Sequence, residues 1–201
     1  MTDWFDAVTR ALLPLETPPA PPAWNHDHLL DLIGEGPRAD AAVLMAIRDL
    51  PEPRVVFTLR REDLARHAGQ VSFPGGRTDH GDSGAIETAL RESREEIALD
   101  PDAVEPLGFI DCLETVSGFC VTPVVARLAA GAVLVPQPDE VAKIFEVPLA
   151  FLLDPANVRP FEFRARGEPR KVYEYVGVEP RSWGATAAML VNLMQRMGVM
   201  K

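Results

Sequence analysis

Hydrophobic positions recur with two different periods along this chain, and the switches between them mark out its elements. Residues 2–13 (TDWFDAVTRALL) place Trp4, Phe5, Val8, Leu12 and Leu13 near i, i+4, i+8 spacing, which predicts a short amphipathic helix. The stretch LETPPAPPA follows with Pro18, Pro19, Pro21 and Pro22, and proline's fixed φ and missing N–H make this an extended linker. A second short helix is predicted over 27–34. The compact domain is expected to start near Ala41, so the chain divides into an N-terminal helix with a Pro-rich appendage (1–40) and one domain (41–201).

Within that domain the apolar runs AAVLMAIR and RVVFTLR flank the turn-forming DLPEP and predict a hairpin. VSF is a short strand stopped by Pro74-Gly75-Gly76, and residues 83–98 read as a helix. LGFIDCLE and FCVTPVVARL read as strands around a turn near 116–118, and PLAFLLD (148–154) as a helix with Pro148 in its first turn. FEFRAR and KVYEYV alternate as strands, and a last helix runs from about Trp183 to Met197 with Ser182 as its N-cap. Mixed strands with two major helices predict an α/β sandwich.

Composition narrows the chemistry. The chain has 201 residues, 47% hydrophobic and 25% charged, which is ordinary globular usage. Thirty acidic residues against 20 basic ones give a net charge of −10, which repels a polyphosphate backbone and an anionic membrane surface. We therefore expect no nucleic-acid partner and no membrane partner. No run of about 18 apolar residues is present, and the acidic start does not resemble a secretory signal. Cys112 and Cys120 are too few for a disulfide framework, and two reduced thiols fit a cytoplasmic protein.

The densest chemical signal is GGRTDHGDSGAIETALRESREEIAL, residues 75–99: two glycines, an acidic loop, then a helix. At about 100° per residue, Glu92, Glu95 and Glu96 share one stripe about 100° wide, while Ile86, Leu90 and Ile97 fall on another face. Like charges at this spacing repel, and a hard divalent cation relieves the repulsion. A solvated acidic face paired with Arg91 and Arg94 is the plainer reading of the same residues.

This stretch resembles the Nudix box, in which a glycine, five residues, an acid and seven residues precede R-E-x-x-E-E. Here Gly76 is followed by five residues and Asp82, eight residues precede Arg91-Glu92, and Glu95-Glu96 follow. The loop is one residue longer, Asp82 replaces the usual glutamate, and Ala98 stands where the box has glycine. That spacing is similar to the coenzyme A pyrophosphatase branch of Nudix hydrolases. VFTLRREDLARHAGQVSFPGG (56–76) resembles the signature of that branch through Thr58, Arg60, Gly69, Phe73, Pro74, Gly75 and Gly76. It departs at Arg61, where Ser or Ala is expected, and at Ala65, where Arg is expected, with Arg66 one position later. DEVAKIFEVPLAFLLDP and RSWGATA resemble later segments, so the similarity covers about residues 41–190.

The resemblance implies a Nudix-type α/β/α sandwich with a mixed β-sheet between helices. It implies metal-dependent hydrolysis of a diphosphate linkage in a small-molecule nucleoside diphosphate derivative. Coenzyme A or an acyl-CoA would give a 4′-phosphopantetheine product and adenosine 3′,5′-bisphosphate. ADP-ribose or a dinucleotide is the alternative substrate, and a non-catalytic nucleotide-binding module the alternative class. Carried to matching positions, Glu92 and Glu96 ligate Mg²⁺ or Mn²⁺, with Glu95 assisting as a ligand and catalytic carboxylate. A further acid beyond the box is expected as metal ligand or general base: Glu140 is the candidate, with Asp139 and Glu114 as rivals and an exposed turn acid as the plainer reading. Arg60 and Arg66, with Arg61, are candidates for substrate phosphates, as point charges or bidentate partners. Gly75 and Gly76 are candidates for backbone approach to substrate, or for a plain turn. Arg91 is expected to orient the helix and its loop. Phe73 reads as core, and His26 and His28 as exposed residues rather than a metal site. The Met189, Leu190, Leu193, Met194, Met197 stripe reads as core, with a homodimer face as the alternative.

Overall fold

The computed structural model describes residues 3–34, 36–63, 69–165 and 168–200. Strand β1 (Ala39–Arg48) is at the centre. It is apolar on both faces and pairs in parallel with β7 (Phe119–Leu128) over its whole length, with Ala39 opposite Phe119 and Arg48 opposite Leu128. Buried parallel pairs read as continuous apolar runs rather than alternating ones, as AAVLMAI does. On its other side β1 pairs antiparallel with β2 (Arg54–Arg60) through Ile47↔Val55, and with β4 (Gly75–Arg77) through Ala42↔Gly76. The strands β3 (Val71–Ser72) and β8 (Val141–Pro148) extend β2, and β5 (Val104–Phe109) and β6 (Leu113–Glu114) extend β7. Among the described residues these eight strands form one mixed sheet.

The side-chain period of two splits the sheet into two faces. Ala42, Leu44 and Ala46 of β1 pack with Val56, Val124 and Ala126 under helix α3 (Ala85–Ile97), through Ala89 and Ile97. Met45, Ile47, Phe57 and Val125 pack on the opposite face with Leu190, Leu193 and Met194 of α5 (Ala185–Arg196). The result is the expected α/β/α sandwich. The C-terminal methionine and leucine stripe lies largely in its core, Met197 being half-buried. A short α4 (Leu149–Leu152) leads to a separate hairpin of β9 (Val158–Ala165) and β10 (Glu168–Tyr175).

Several boundaries differ from the expectation for identifiable reasons. The first helix, α1, spans only Trp4–Thr9, capped by Asp3, whose side chain accepts from the Asp6 N–H. It stops early because Leu13 exchanges two backbone hydrogen bonds with Phe109 of β5, at 2.8 and 2.9 Å. Phe5 and Val8 are buried in the main core, and α2 (His26–Ile33) follows the proline segment. The sequence pattern predicts no strand over 141–148, where β8 lies. Ser182 does not cap the last helix: Gly184 holds that position. Ser182 and Gly184 are still bonded to β10, through Tyr175 N–H to the Ser182 carbonyl and Gly184 N–H to the Tyr173 carbonyl, so the helix cannot begin before them. Pro148 likewise precedes α4 as its N-cap rather than lying in its first turn.

Candidate active site

Helix α3 brings Glu92, Glu95 and Glu96, the three glutamates of its C-terminal half, into three different environments. Glu96 is buried, 4% exposed, whereas Glu95 is 61% exposed on the outer side of the stripe, and Glu92 lies between these extremes. Strand β4 produces the difference. The Gly75 N–H donates to Glu96 Oε2 at 3.2 Å. A Cβ on Gly76 would collide with the Glu92 carboxylate, so only glycine lets this carboxylate approach the strand. A Cβ on Gly75 would collide with the Ala42 carbonyl and Val43 Cα across the ladder. Both glycines therefore have packing reasons for being glycine, one of which shapes the carboxylate cluster itself.

Arg60, at the end of β2, closes the cluster from the other side. Its guanidinium lies 3.0 Å from Glu96 and 3.7 Å from Glu140, which sits in the turn before β8. The chain thus brings together Arg60, Gly75, Gly76, Glu92, Glu96 and Glu140, residues separated by up to 80 positions. Burial pushes the Glu96 carboxyl up to about 7, against the pull of Gly75 and Arg60, and the charges of Glu140 and Glu92 add to the rise. Glu92 is raised too, first by burial, with Arg91 opposing and Glu95 and Glu140 adding.

Arg91 organises the preceding loop. It holds Asp82 through two bonds, at 3.0 and 2.9 Å, and also donates to the Arg77 carbonyl at 2.9 Å and to Glu92 at 2.9 Å. Asp82 in turn accepts from the Asp79 N–H and the Thr88 hydroxyl, and these donors, Arg91 first, hold its carboxyl well below the usual range. Glu95 meets Arg91 at 3.4 Å and is otherwise exposed.

The rivals to Glu140 are occupied differently. Asp139 is exposed, and its N–H donates to the Gln137 side chain at 2.5 Å. Glu114 is buried on β6, where His26 Nδ1 lies at 3.0 Å and Arg38 at 3.7 Å, with β7 and β1 between it and β4. His26 is accordingly half-buried, not exposed, while His28 is exposed. Phe73 is core, stacked on Phe57 with ring centroids 5.0 Å apart. Arg66, Ala65 and His67 lie outside the described residues.

The donor set fits a hard divalent cation. Among the described residues no three acidic, histidine or cysteine side chains converge as a closed metal cage. Mg²⁺ does not need one, because it binds through one or two carboxylates together with waters and substrate phosphates. Glu92 and Glu96, one helical turn apart and drawn to β4 by its glycines, offer carboxylates of that kind.

A model of the NUDIX domain matches residues 37–166. The chain belongs to the Nudix family. A protein named "Uncharacterized Nudix hydrolase NudL" from Pectobacterium atrosepticum is 43% identical over 153 residues, covering 76% of this chain and 80% of that one. Its namesake from Photorhabdus laumondii is 38% identical over 199 residues, covering 99% of this chain and 100% of that one. Among solved structures, the Nudix hydrolase RenU from M. smegmatis covers 57% of this chain and 73% of its own, with 21% identity and a TM-score of 0.48. The chain is thus a hydrolase of phosphoric anhydrides, in a family that acts on nucleoside diphosphate derivatives and generally uses divalent metal ions. Among the described residues no helix is long and apolar enough to cross a membrane.

Sequence reasoning missed two participants in this Nudix site. The loop before β8 is bonded to the end of α3, with Gln137 N–H on the Glu96 carbonyl at 2.8 Å and Val135 N–H on the Ile97 carbonyl at 2.9 Å. Asp63, within the signature segment, binds Arg61 through two bonds, at 2.7 and 2.6 Å. The Arg61–Asp63 spacing was visible in the sequence as a charge pair; the loop contacts carried no local signal.

Proposed function

We propose that the chain hydrolyses the diphosphate of coenzyme A or an acyl-CoA, releasing a 4′-phosphopantetheine product and adenosine 3′,5′-bisphosphate. One observation carries the reading: Arg60, a residue of the coenzyme A signature, bridges Glu96 of the box and Glu140 beyond it. The segment resembling the signature thus contributes directly to the carboxylate cluster, and does so beside the glycine pair that ends it. Ala65, where that signature has arginine, keeps ADP-ribose or a dinucleotide as the second substrate reading.

In this reading Glu92 and Glu96 hold Mg²⁺ or Mn²⁺, with Glu95 assisting from the exposed side. When bound, the cation neutralises diphosphate oxygens and lowers the pKa of water. Glu140 takes the proton of the water that attacks phosphorus in line, and its half-exposed position leaves it open to that water. Arg60 turns its remaining donors to the substrate phosphates, with Arg66 as a second candidate, while Gly75 and Gly76 keep the strand flat enough for the diphosphate to approach. Arg91 and Asp82 fix the loop over the N-terminal end of α3. Positioning and charge stabilisation supply the catalysis. The enzyme would be cytoplasmic, with Cys112 and Cys120 as thiols.

The test is product analysis with purified protein, Mg²⁺ or Mn²⁺, and a panel of coenzyme A, acetyl-CoA, ADP-ribose, NADH and a dinucleoside polyphosphate. The expected result is preference for coenzyme A or acetyl-CoA. Preference for another diphosphate overturns the substrate assignment and leaves the chemistry. Nucleotide binding without turnover of any member supports the non-catalytic module instead.

A further inference from the structure

We infer that Arg61 is a positioning residue for Glu140, clamping the loop that carries it; the inference rests on Glu140 acting as the base in the reading above. The Glu140 side chain is 53% exposed and meets Arg60 at 3.7 Å, so it is held by that ion pair and by the backbone of residues 135–140 rather than by packing. That segment is tied on one side to α3, through the Glu96 and Ile97 carbonyls. This side is anchored to the helix that carries the carboxylates.

Arg61 supplies the opposite side. Its N–H donates to the Glu140 carbonyl at 3.1 Å, and its Nη1 donates to the Pro138 carbonyl at 2.7 Å. Asp63 makes the second bond directional: it accepts from Nε at 2.7 Å and Nη2 at 2.6 Å, so the planar fork is held with Nη1 facing Pro138. Within the loop, the Gln137 carbonyl accepts from both the Glu140 and the Val141 N–H, so a shift at Pro138 is passed directly to Glu140. Serine or alanine at position 61 could keep the backbone bond but could not reach Pro138. Arg61, one of the two departures from the coenzyme A signature, is therefore built into the loop of the base, and this departure has a physical use within this chain. Lysine could donate to one carbonyl but lacks the fork that Asp63 orients.

The experiment compares Arg61→Ala, Arg61→Lys, Glu140→Gln and the double variant R61A/E140Q, using the best substrate of the panel. Because a misplacement of about 1 Å can cost about 100-fold, partial release of the loop is expected to lower kcat about tenfold, with KM within about twofold of wild type. Arg61→Lys should recover part of the loss, and R61A/E140Q should be no slower than Glu140→Gln alone. Hydrogen exchange at the Glu140 and Val141 amides should accelerate in Arg61→Ala and stay unchanged in Glu140→Gln. Multiplying losses in the double variant, or unchanged exchange in Arg61→Ala, would overturn the positioning role. Glu140→Gln at wild-type kcat overturns the base assignment, and the positioning role with it. A slow Glu140→Gln beside a wild-type Arg61→Ala overturns the positioning role alone.

Discussion

Two buried glutamates, Glu96 on α3 and Glu174 on β10, have opposite surroundings. Glu174 sits opposite Arg159 in the β9–β10 ladder and meets its Nε at 2.7 Å, while Arg181 reaches its other oxygen at 2.7 Å. Arg181 is itself braced over Phe161 and Trp183, with its guanidinium carbon 5.0 and 5.5 Å from the ring centroids. These two arginines, Arg159 first, hold the Glu174 carboxyl below its usual range. Glu96 has one arginine and one N–H, yet burial and the nearby charges of Glu140 and Glu92 raise it to about 7. The same side chain is little exposed in both places, but on β10 the fold supplies it with two arginines, whereas on α3 deeper burial and neighbouring carboxylates outweigh one arginine and one N–H. The first arrangement is complete as a structural ion pair. The second suits a group that a cation will complete, and perturbation of this kind clusters at functional sites.

Exchanging each carboxylate for its amide separates the two roles. Loss of a partner behind a metal ligand costs about 10–100-fold, so Glu96→Gln, which alters a ligand itself, should lower kcat by about 100-fold or more. Its far-ultraviolet circular dichroism and cooperative unfolding should match wild type. Turnover near the wild-type rate would remove Glu96 from the metal set and reduce the contrast with Glu174 to a difference in burial.

Glu174→Gln should do the reverse, leaving kcat within about twofold while changing the pH dependence of stability. The folded carboxyl titrates lower than the unfolded one, so the unfolded chain binds more protons in the acid range. The stabilisation is therefore present above the unfolded value, near pH 4–5, and is lost as pH falls towards the depressed folded value. Glu174→Gln should be less stable than wild type at neutral pH, and its stability should decline less steeply on acidification. Denaturant unfolding at a series of pH values measures this, and parallel acid limbs for the two proteins would refute it.

Much of this contrast could not be seen from local pattern. Helical periodicity placed Glu92, Glu95 and Glu96 on one stripe, and the box resemblance gave them a function, because both signals lie within a single helix and its loop. What separates the three is β4, brought against α3 by long-range pairing with β1, and no helical wheel contains it. Arg60 was legible as a phosphate candidate, but its contact with Glu96 and Glu140 depends on β2 lying beside β8. That strand has no clear local signature, because VAKIFEVP carries apolar residues on both faces among Lys143 and Glu146, so neither period of two nor helical spacing stands out. The hairpins and α3 were legible because their turns and periodicity are local. Ser182 is a poor guide to the start of α5, because a good capping residue is uninformative while its backbone still belongs to a ladder.

The smallest expected effect lies at the end of α3, where Glu96 and the loop of Glu140 meet. Ala98 closes the helix in the left-handed region at φ +51°, ψ +32°, the position at which the general box carries glycine. For a residue with a Cβ this conformation costs about 1–2 kcal/mol. Glycine would relieve that strain but gain freedom in the unfolded chain worth about 0.4–1 kcal/mol. Ala98→Gly should therefore stabilise the protein by a net of about 0.5–1 kcal/mol in denaturant titration. Because the neighbouring Ile97 and Glu96 carbonyls hold the 135–140 segment, kcat is the sharper readout. An unchanged kcat with the stability gain means the helix end is a passive frame and the contrast between the glutamates lies in their side-chain surroundings alone. A changed kcat means the strain at Ala98 sets where that loop, and Glu140 with it, rests over Glu96.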